Sequence, residues 1–112
     1  MFNGKQVHIF LKSSARKTYE QFVRRGDQQS RILLTIYEKI KEVLKVNPEY
    51  GDRISKRLIP KEFRIQGVTN LRVVKLTNSW RMLYTITGNK IEIYVFILTM
   101  ENHDNYDNRM NY

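Results

Sequence analysis

Three strand-like segments in the C-terminal third of the chain constrain its fold more than any other feature. They are rich in β-branched and aromatic residues, and two short polar pairs, Asn78-Ser79 and Gly88-Asn89, separate them. Strands joined by such short turns pair antiparallel, which predicts an antiparallel-rich sheet. The three predicted strands are Leu71–Thr77, Trp80–Thr87 and Lys90–Met100.

A two-residue turn in the second of these hairpins predicts its register. It pairs Thr87 with Lys90 and places Arg81 opposite Phe96. Because strand side chains alternate between faces, one face of this hairpin is apolar and predicted to pack under helices. That face holds Trp80, Met82, Tyr84, Ile86, Ile91, Ile93, Val95 and Ile97. Arg81 is predicted to lie on the other, open and concave face, or else to pair with Glu92 or Glu101 across the sheet.

Two amphipathic helices are predicted before these strands, joined as a helical hairpin. Gly26 stops the first helix, and Asn47-Pro48 ends the second, whose apolar residues recur at helical spacing. The first is predicted from Ser13 or Ser14 to Arg25, and the second from Asp27 or Ser30 to about Val46.

The remaining segments complete an α+β prediction with the order β-α-α-β-β-β. A strand is expected over Gln6–Leu11, an irregular basic connection over Tyr50–Asn70, and a short C-terminal helix over Asp104–Met110. Residue Tyr112 is expected to fray. A length of 112 residues suits one domain, 1–112, with the helical hairpin packed on one face of the sheet.

The net charge of +9 is concentrated in residues 53–90, which hold nine basic residues and one acidic residue. Such a segment favours polyanions, nucleic acid first among them, although an acidic protein or simple solubility explains it as well. The chain has no cysteine, two histidines far apart in sequence, and no apolar run of membrane-spanning length. We therefore expect a cytoplasmic protein with no metal, no cofactor and no membrane association.

The order of elements, the Trp80-Arg81-x-Leu83-Tyr84 strand and the terminal His103-x-x-Tyr106 resemble the RelE/ParE superfamily of toxins, and the RelE branch most. The resemblance implies the toxin of a type II toxin–antitoxin system, a ribosome-dependent mRNA endoribonuclease that binds mRNA, the ribosome and a cognate antitoxin. The free chain is expected to be monomeric.

The same resemblance assigns site residues. The family's central-strand arginine falls on Arg81, and its C-terminal tyrosine, which stacks on or activates RNA, falls on Tyr106. A family lysine falls on Lys75 if the Asn78-Ser79 turn is one residue shorter than usual. The chain departs from the family at Val73, where many relatives have a second lysine, and where some relatives have a C-terminal arginine it offers Glu101, Asn102 and His103.

Metal-independent cleavage by attack of the 2′-hydroxyl needs cations for the phosphorane and groups that move protons. Arg81 and Lys75 suit the first role, His103 is the natural proton carrier, and Glu101 is the alternative base. Tyr106 either contacts RNA or only packs in the core, and the acid/base pair stays unassigned. Residues expected to bind RNA phosphates are Lys56, Arg57, Lys61, Arg64 and Arg72.

Two other functions fit the same residues, because a fold does not fix a function. A ParE-like chain would inhibit a topoisomerase without cutting RNA and would not need Arg81 or Tyr106. A non-catalytic basic module would bind RNA or an acidic protein through residues 53–90. His8, on the first strand, is interpreted as structural.

Overall fold

Five strands form one mixed sheet in the computed structural model, which describes residues 1–111. The strands lie in the order β1-β5-β4-β3-β2, with β1 parallel to β5 and every other pair antiparallel. Their bounds are β1 Gln6–Leu11, β2 Asp52–Ile54, β3 Leu71–Thr77, β4 Trp80–Gly88 and β5 Glu92–Asn102. The predicted α+β class and antiparallel-rich sheet are confirmed. The expected fraying of Tyr112 lies outside the described residues.

The helical hairpin consists of α1 (Ser13–Arg25) and α2 (Gln28–Val46). Gly26 ends α1 in the left-handed conformation, with φ of 60°, as its predicted stop role requires. Asp27 caps α2 by accepting a hydrogen bond from the Ser30 backbone N–H at 2.8 Å. The predicted serine cap of α1 is wrong, because Lys12 occupies the cap position and supplies no side-chain hydrogen bond.

The hairpin covers one face of the sheet, which we call the helix face. Side chains of alternate strand residues meet the inward stripes of both helices there, and a contiguous apolar core results. Fully or nearly fully buried members include Ala15, Leu33, Leu44, Met82, Tyr84, Val95 and Ile97.

A buried tyrosine fastens the end of the hairpin to the sheet. The Tyr84 hydroxyl donates to the Pro48 carbonyl at 2.7 Å and accepts from the Gly51 N–H at 2.9 Å. A Cβ at Gly51 would lie 2.8 Å from the Tyr84 ring, so only glycine fits there. Burial raises the pKa of Tyr84, and the neutral hydroxyl keeps both hydrogen bonds.

Residues 50–70 are more ordered than the predicted irregular connection, and that prediction is wrong. They contain β2, a 3₁₀ turn at Lys56–Leu58 and the short helix α3 (Lys61–Ile65). Short elements of three to five residues leave too little sequence for a period to show, so their order comes from packing. Phe63 of α3 is buried against the opposite side of the sheet.

That opposite side, which we call the second face, is partly covered by α3 and by α4 (His103–Met110). The open surface predicted there is therefore only partly open. A smaller apolar cluster fills the covered part, and it comprises Ile54, Ile59, Phe63, Leu71, Leu83, Leu98, Tyr106 and Met110. None of the helices within residues 1–111 is long and apolar enough to cross a membrane.

The predicted register of the β4–β5 hairpin is wrong, and β5 begins at Glu92 instead of Lys90, which leaves Ile91 in the turn and 73% exposed instead of in the core. The predicted faces are confirmed for the residues that lie within β4 and β5. Thr87 pairs with Tyr94 instead of Lys90, because Asn89 organises a longer turn. Its side chain accepts hydrogen bonds from the backbone N–H groups of Ile91 and Glu92, both at 2.8 Å. The displacement of four residues is even, so each side chain keeps its face.

A β-bulge between the two strands then changes the facing of the end of β5. Leu83 pairs with Thr99 but Tyr84 pairs with Ile97, so Leu98 is the extra residue. Beyond the bulge, Met100 joins the core of the helix face and Glu101 turns to the second face. Arg81 consequently lies opposite Glu101 instead of Phe96.

Candidate functional site

Three charged residues form a row across the second face of the sheet. Lys75 on β3 pairs with Arg81 on β4, and Arg81 pairs with Glu101 on β5. Directly opposed residues on antiparallel strands have Cβ atoms about 5 Å apart. The row therefore brings together two cations and a carboxylate that are separated by up to 26 positions in sequence.

The Arg81 side chain is fixed by the turn that precedes its strand. Its Nη1 donates to the carbonyl oxygens of Thr77 at 3.0 Å, Asn78 at 3.2 Å and Trp80 at 3.3 Å. Within residues 1–111 these hydrogen bonds use Nη1 alone, so the Nε–Nη2 edge of the guanidinium stays available. A planar edge with two donors matches two oxygens of a phosphate.

Tyr106 of α4 lies beside this guanidinium, with the Cζ atom of Arg81 6.0 Å from the centre of the ring. The residue is only 7% exposed and belongs to the apolar cluster of the second face. Tyr106 is thus next to Arg81, as the resemblance implies, while most of its ring packs inside the protein.

The Glu101 carboxylate is already engaged by a residue that the sequence did not single out. Arg109 of α4 donates from Nε to both carboxylate oxygens, at 2.7 and 3.2 Å. Its Nη1 also bonds to Glu62, and its guanidinium lies over the Phe63 ring at 5.1 Å. We call Glu62, Glu101 and Arg109 the α4 ion-pair network, because it ties α4 to α3 and β5.

No sequence signal pointed to this network. Glu62 and Arg109 are separated by 47 positions, and each by itself has the composition of an ordinary surface residue. The side chain of Glu101 is 92% buried, because the bulge in β5 turns it toward the second face. A buried carboxylate paired with an arginine is a structural arrangement first, since removal of either partner costs free energy.

His103 is the first residue of α4 and lies at the same turn as Arg81. Its backbone N–H donates to the Ser79 carbonyl at 2.6 Å, and its Nε2 lies 3.0 Å from a carboxylate oxygen of Asp107. About half of its side chain is exposed. The imidazole is thus both exposed and held by a carboxylate of its own helix.

The five residues expected to bind phosphates separate into two groups. Lys56 and Arg57 of the 3₁₀ turn and Lys61 and Arg64 of α3 are all exposed. Arg72 instead lies on the helix side of β3, where its Nη1 donates to the carbonyls of Glu49 and Gly51 at 3.0 and 2.9 Å. Its guanidinium supports the chain around Tyr84, on the opposite side from Lys75.

Comparison with known proteins gave a match in structure only. No family model matches the chain, and no curated protein matches it either. The solved structure of a YoeB/ParE toxin from Agrobacterium tumefaciens is similar, with a TM-score of 0.61 over 85% of this chain and 96% of that one. The two sequences are 14% identical, so the likeness shows a shared fold. The fold that the resemblance implied is therefore confirmed.

Proposed function

We propose that this chain is the toxin of a type II toxin–antitoxin system and acts as a ribosome-dependent mRNA endoribonuclease. The observation that carries the proposal is the pairing of Lys75 with Arg81, with Tyr106 beside Arg81, on a fold shared with a YoeB/ParE toxin. Two cations on adjacent strands suit a phosphodiester that gains negative charge as it reacts.

In the proposed reaction, the 2′-hydroxyl attacks the adjacent phosphorus atom, and the bond to the 5′-oxygen of the next nucleotide breaks. The Nε–Nη2 edge of Arg81 binds two phosphate oxygens, and the ammonium of Lys75 neutralises the charge that develops on them. The hydrogen bonds of Nη1 to the turn hold the guanidinium in place, so little rearrangement is needed as the charge grows. The protein itself supplies these charges.

Two protons must move, one from the attacking 2′-hydroxyl and one to the departing 5′-oxygen. His103 is the better candidate for one of these transfers, because it is exposed and lies at the turn that positions Arg81. Glu101 is the weaker candidate, because accepting a proton would break its hydrogen bonds to Arg109. Tyr106 positions Arg81 through its ring and reaches RNA only if α4 shifts.

The ribosome and the message are bound through phosphates in this proposal. Lys56, Arg57, Lys61 and Arg64 form an exposed basic group on the 3₁₀ turn and α3. Contacts of this kind position a nucleic acid without reading its sequence and weaken as salt concentration rises. An antitoxin with an acidic, amphipathic segment would silence the toxin by covering this basic surface in the cytoplasm.

The test is primer extension on mRNA bound to translating ribosomes. Wild type is compared with Arg81→Ala, Lys75→Ala and Tyr106→Phe, and Arg16→Ala on the exposed side of α1 serves as the matched arginine control. We expect discrete cuts by wild type and by the control, and a loss of rate on the order of 100-fold or more for Arg81→Ala. Free mRNA should stay intact.

An uncut message in the presence of active ribosomes would refute the nuclease. The second candidate, inhibition of a topoisomerase, is supported by the likeness to a YoeB/ParE toxin. A supercoiling assay with purified gyrase then decides whether the chain acts on a topoisomerase. Salt-dependent RNA binding without effect in either assay would identify a non-catalytic basic module.

A further inference from the structure

Four aromatic rings form a two-by-two array on the second face, at the parallel edge of the sheet. His8 and Phe10 of β1 are in register with Tyr94 and Phe96 of β5. Ring centres lie 5.5 to 5.6 Å apart across the strands and 6.4 to 6.5 Å apart along them, and these ring planes differ by only 24 to 28°. We call these four residues the aromatic ladder.

The ladder is turned away from the main core of the protein. Val7, Ile9 and Leu11 of β1 pack on the helix face, so the alternation of β1 places His8 and Phe10 on the second face. Phe10 is 45% exposed, and the side chain of His8 is 38% exposed. Phe96 packs at the border of the second-face cluster, but core packing does not account for the exposed rings of His8 and Phe10.

A lysine and a carboxylate lie at opposite ends of the ladder. The Lys12 ammonium lies over the Phe96 ring, 5.3 Å from its centre. The acid at this site, Glu92, accepts a hydrogen bond from the Tyr94 hydroxyl at 2.5 Å, which lowers its pKa, and it lies 3.3 Å from His8 Nε2.

A polyanion with flat apolar faces matches this combination. Single-stranded nucleic acid stacks its bases on aromatic rings and places its phosphates near lysines, whatever its sequence. A duplex hides its base faces and gains nothing from the ladder. An acidic peptide would be attracted by Lys12, but it would not use the stacking capacity of the exposed rings.

Two cavities on the second face adjoin Lys12, beside the ladder. A cavity of about 570 Å³ begins at Phe96 and Leu98 and is bordered by Lys12. Lys12 also borders a second cavity of about 350 Å³ that extends to Glu62 and Arg109. A single strand stacked on the ladder can therefore continue past Lys12 into the first of these cavities.

We propose that the aromatic ladder is a second binding site, which stacks unpaired bases of single-stranded RNA. The choice of RNA over DNA rests on the proposed nuclease function, whereas base stacking rests on the rings and Lys12 alone. The ladder holds bases outside the cleavage site.

The test measures binding of a fluorescein-labelled, unstructured RNA of about 12 nucleotides, a length within the range that single-strand binding surfaces cover. Phe10→Ala should weaken binding roughly tenfold, while Phe10→Tyr should bind like wild type, because it keeps a ring. Phe10→Leu separates stacking from general apolarity and should resemble Phe10→Ala. Tyr50→Ala is the matched control, since Tyr50 is also an aromatic residue and is 50% exposed.

Three results would overturn the ladder as an RNA site. Phe10→Ala could bind RNA as tightly as wild type at the same salt concentration. A DNA of the same sequence could bind more tightly than the RNA and show the same dependence on Phe10. Wild type could form a dimer in light scattering that Phe10→Ala abolishes, with RNA binding unchanged, which would make the ladder a self-association surface.

The outcomes separate this proposal from the nuclease. Absence of cleavage in primer extension, together with weakened RNA binding by Phe10→Ala, would refute the nuclease and keep the stacking site. Cleavage that depends on Arg81, together with RNA binding that is unchanged in Phe10→Ala, would support the nuclease and refute the ladder as a binding site. In 2-aminopurine-labelled RNA, quenching at the ladder should disappear in Phe10→Ala and persist in Arg81→Ala.

Discussion

The two faces of the sheet are built in different ways. The helix face carries two long helices on a contiguous apolar core, and its buried hydroxyl at Tyr84 has both a donor and an acceptor partner. The second face carries two short helices on a smaller cluster, held by the α4 ion-pair network and flanked by exposed rings and cations.

This difference shows that one face of a small protein can stabilise the fold while the other face carries groups for binding. Apolar burial on the helix face supplies most of the free energy that holds the chain folded. Charged groups and partly exposed rings, which contribute less to folding, can then be kept on the second face for binding. Regions with fewer buried apolar contacts also open locally at lower free energy.

The largest expected loss of stability comes from a substitution in the core of the helix face. Leu33→Ala removes a side chain that is 1% exposed in the core, and we expect a loss of about 2–5 kcal/mol in the free energy of unfolding. Urea denaturation followed by circular dichroism measures it. The neighbouring Ile32→Ala, at a side chain 47% exposed, should change stability by about 0.5 kcal/mol or less. Equal losses for the two variants would contradict the assignment of the core.

A substitution on the second face is expected to have a smaller and more local effect on stability. Arg109→Ala leaves the Glu101 carboxylate buried without its partner, which should cost about 1–3 kcal/mol. Hydrogen exchange should show faster opening of α4 amides while amides of α2 keep their protection. The comparison fails if exchange rises equally in both helices.

A double variant separates the charge from the packing of Arg109. Adding Glu101→Gln to Arg109→Ala removes the unpaired carboxylate and should recover part of the lost stability and part of the protection of α4. Losses that simply add would mean that the two side chains act independently. In that case the ion pair would contribute little to holding α4 on the sheet.

The smallest expected effect is a difference in how stability depends on pH between the helix caps on the two faces. Asp27 caps α2 and Asn102 caps α4. The side chain of each accepts a hydrogen bond from the backbone N–H of the residue three positions later. Hydrogen bonding from Ser30 lowers the pKa of Asp27 below its ordinary value of 3.8. The stabilisation by ionised Asp27 is therefore complete above about pH 4 and is lost as the pH falls through the lower folded-state pKa.

Melting temperatures between about pH 2 and pH 5 test this sign. Asp27→Asn keeps an acceptor but cannot ionise, so its melting temperature should fall less steeply than that of wild type as the pH drops. Asn102→Asp should steepen the same dependence. Identical slopes for wild type and Asp27→Asn would show that the cap of α2 makes no contribution to the acid sensitivity of the protein.

Much of the fold could be predicted because its signals are local. The hairpin of helices followed from apolar spacing and from Gly26, and the three C-terminal strands followed from their β-branched residues. The segment at residues 50–70 could not be predicted, since β2, the 3₁₀ turn and α3 are too short for a period and are ordered by packing on other elements. The cap of α1 was missed because two serines, Ser13 and Ser14, directly follow the cap position and mimic a cap signal.

The candidate site was predictable only in part, for the same reason. Arg81, Lys75 and His103 were singled out by type and resemblance, and the structure brings them around one turn. The α4 ion-pair network and the aromatic ladder were missed, because their members are ordinary residues until β1 meets β5 and α4 meets α3. His8 was interpreted as structural, and its place in the ring array is visible only from the register of β1 on β5.

By itself, the sequence determined the α+β class, the helical hairpin, the three paired strands and the basic character of residues 53–90. Those properties depend on neighbours three or four positions apart, or on composition, and neither needs a folded chain. The tertiary structure alone decided the strand register, the bulge at Leu98, the engagement of Glu101 by Arg109 and the ladder. Each of these depends on which distant side chains compete for the same partner, and that competition exists only once the chain is packed.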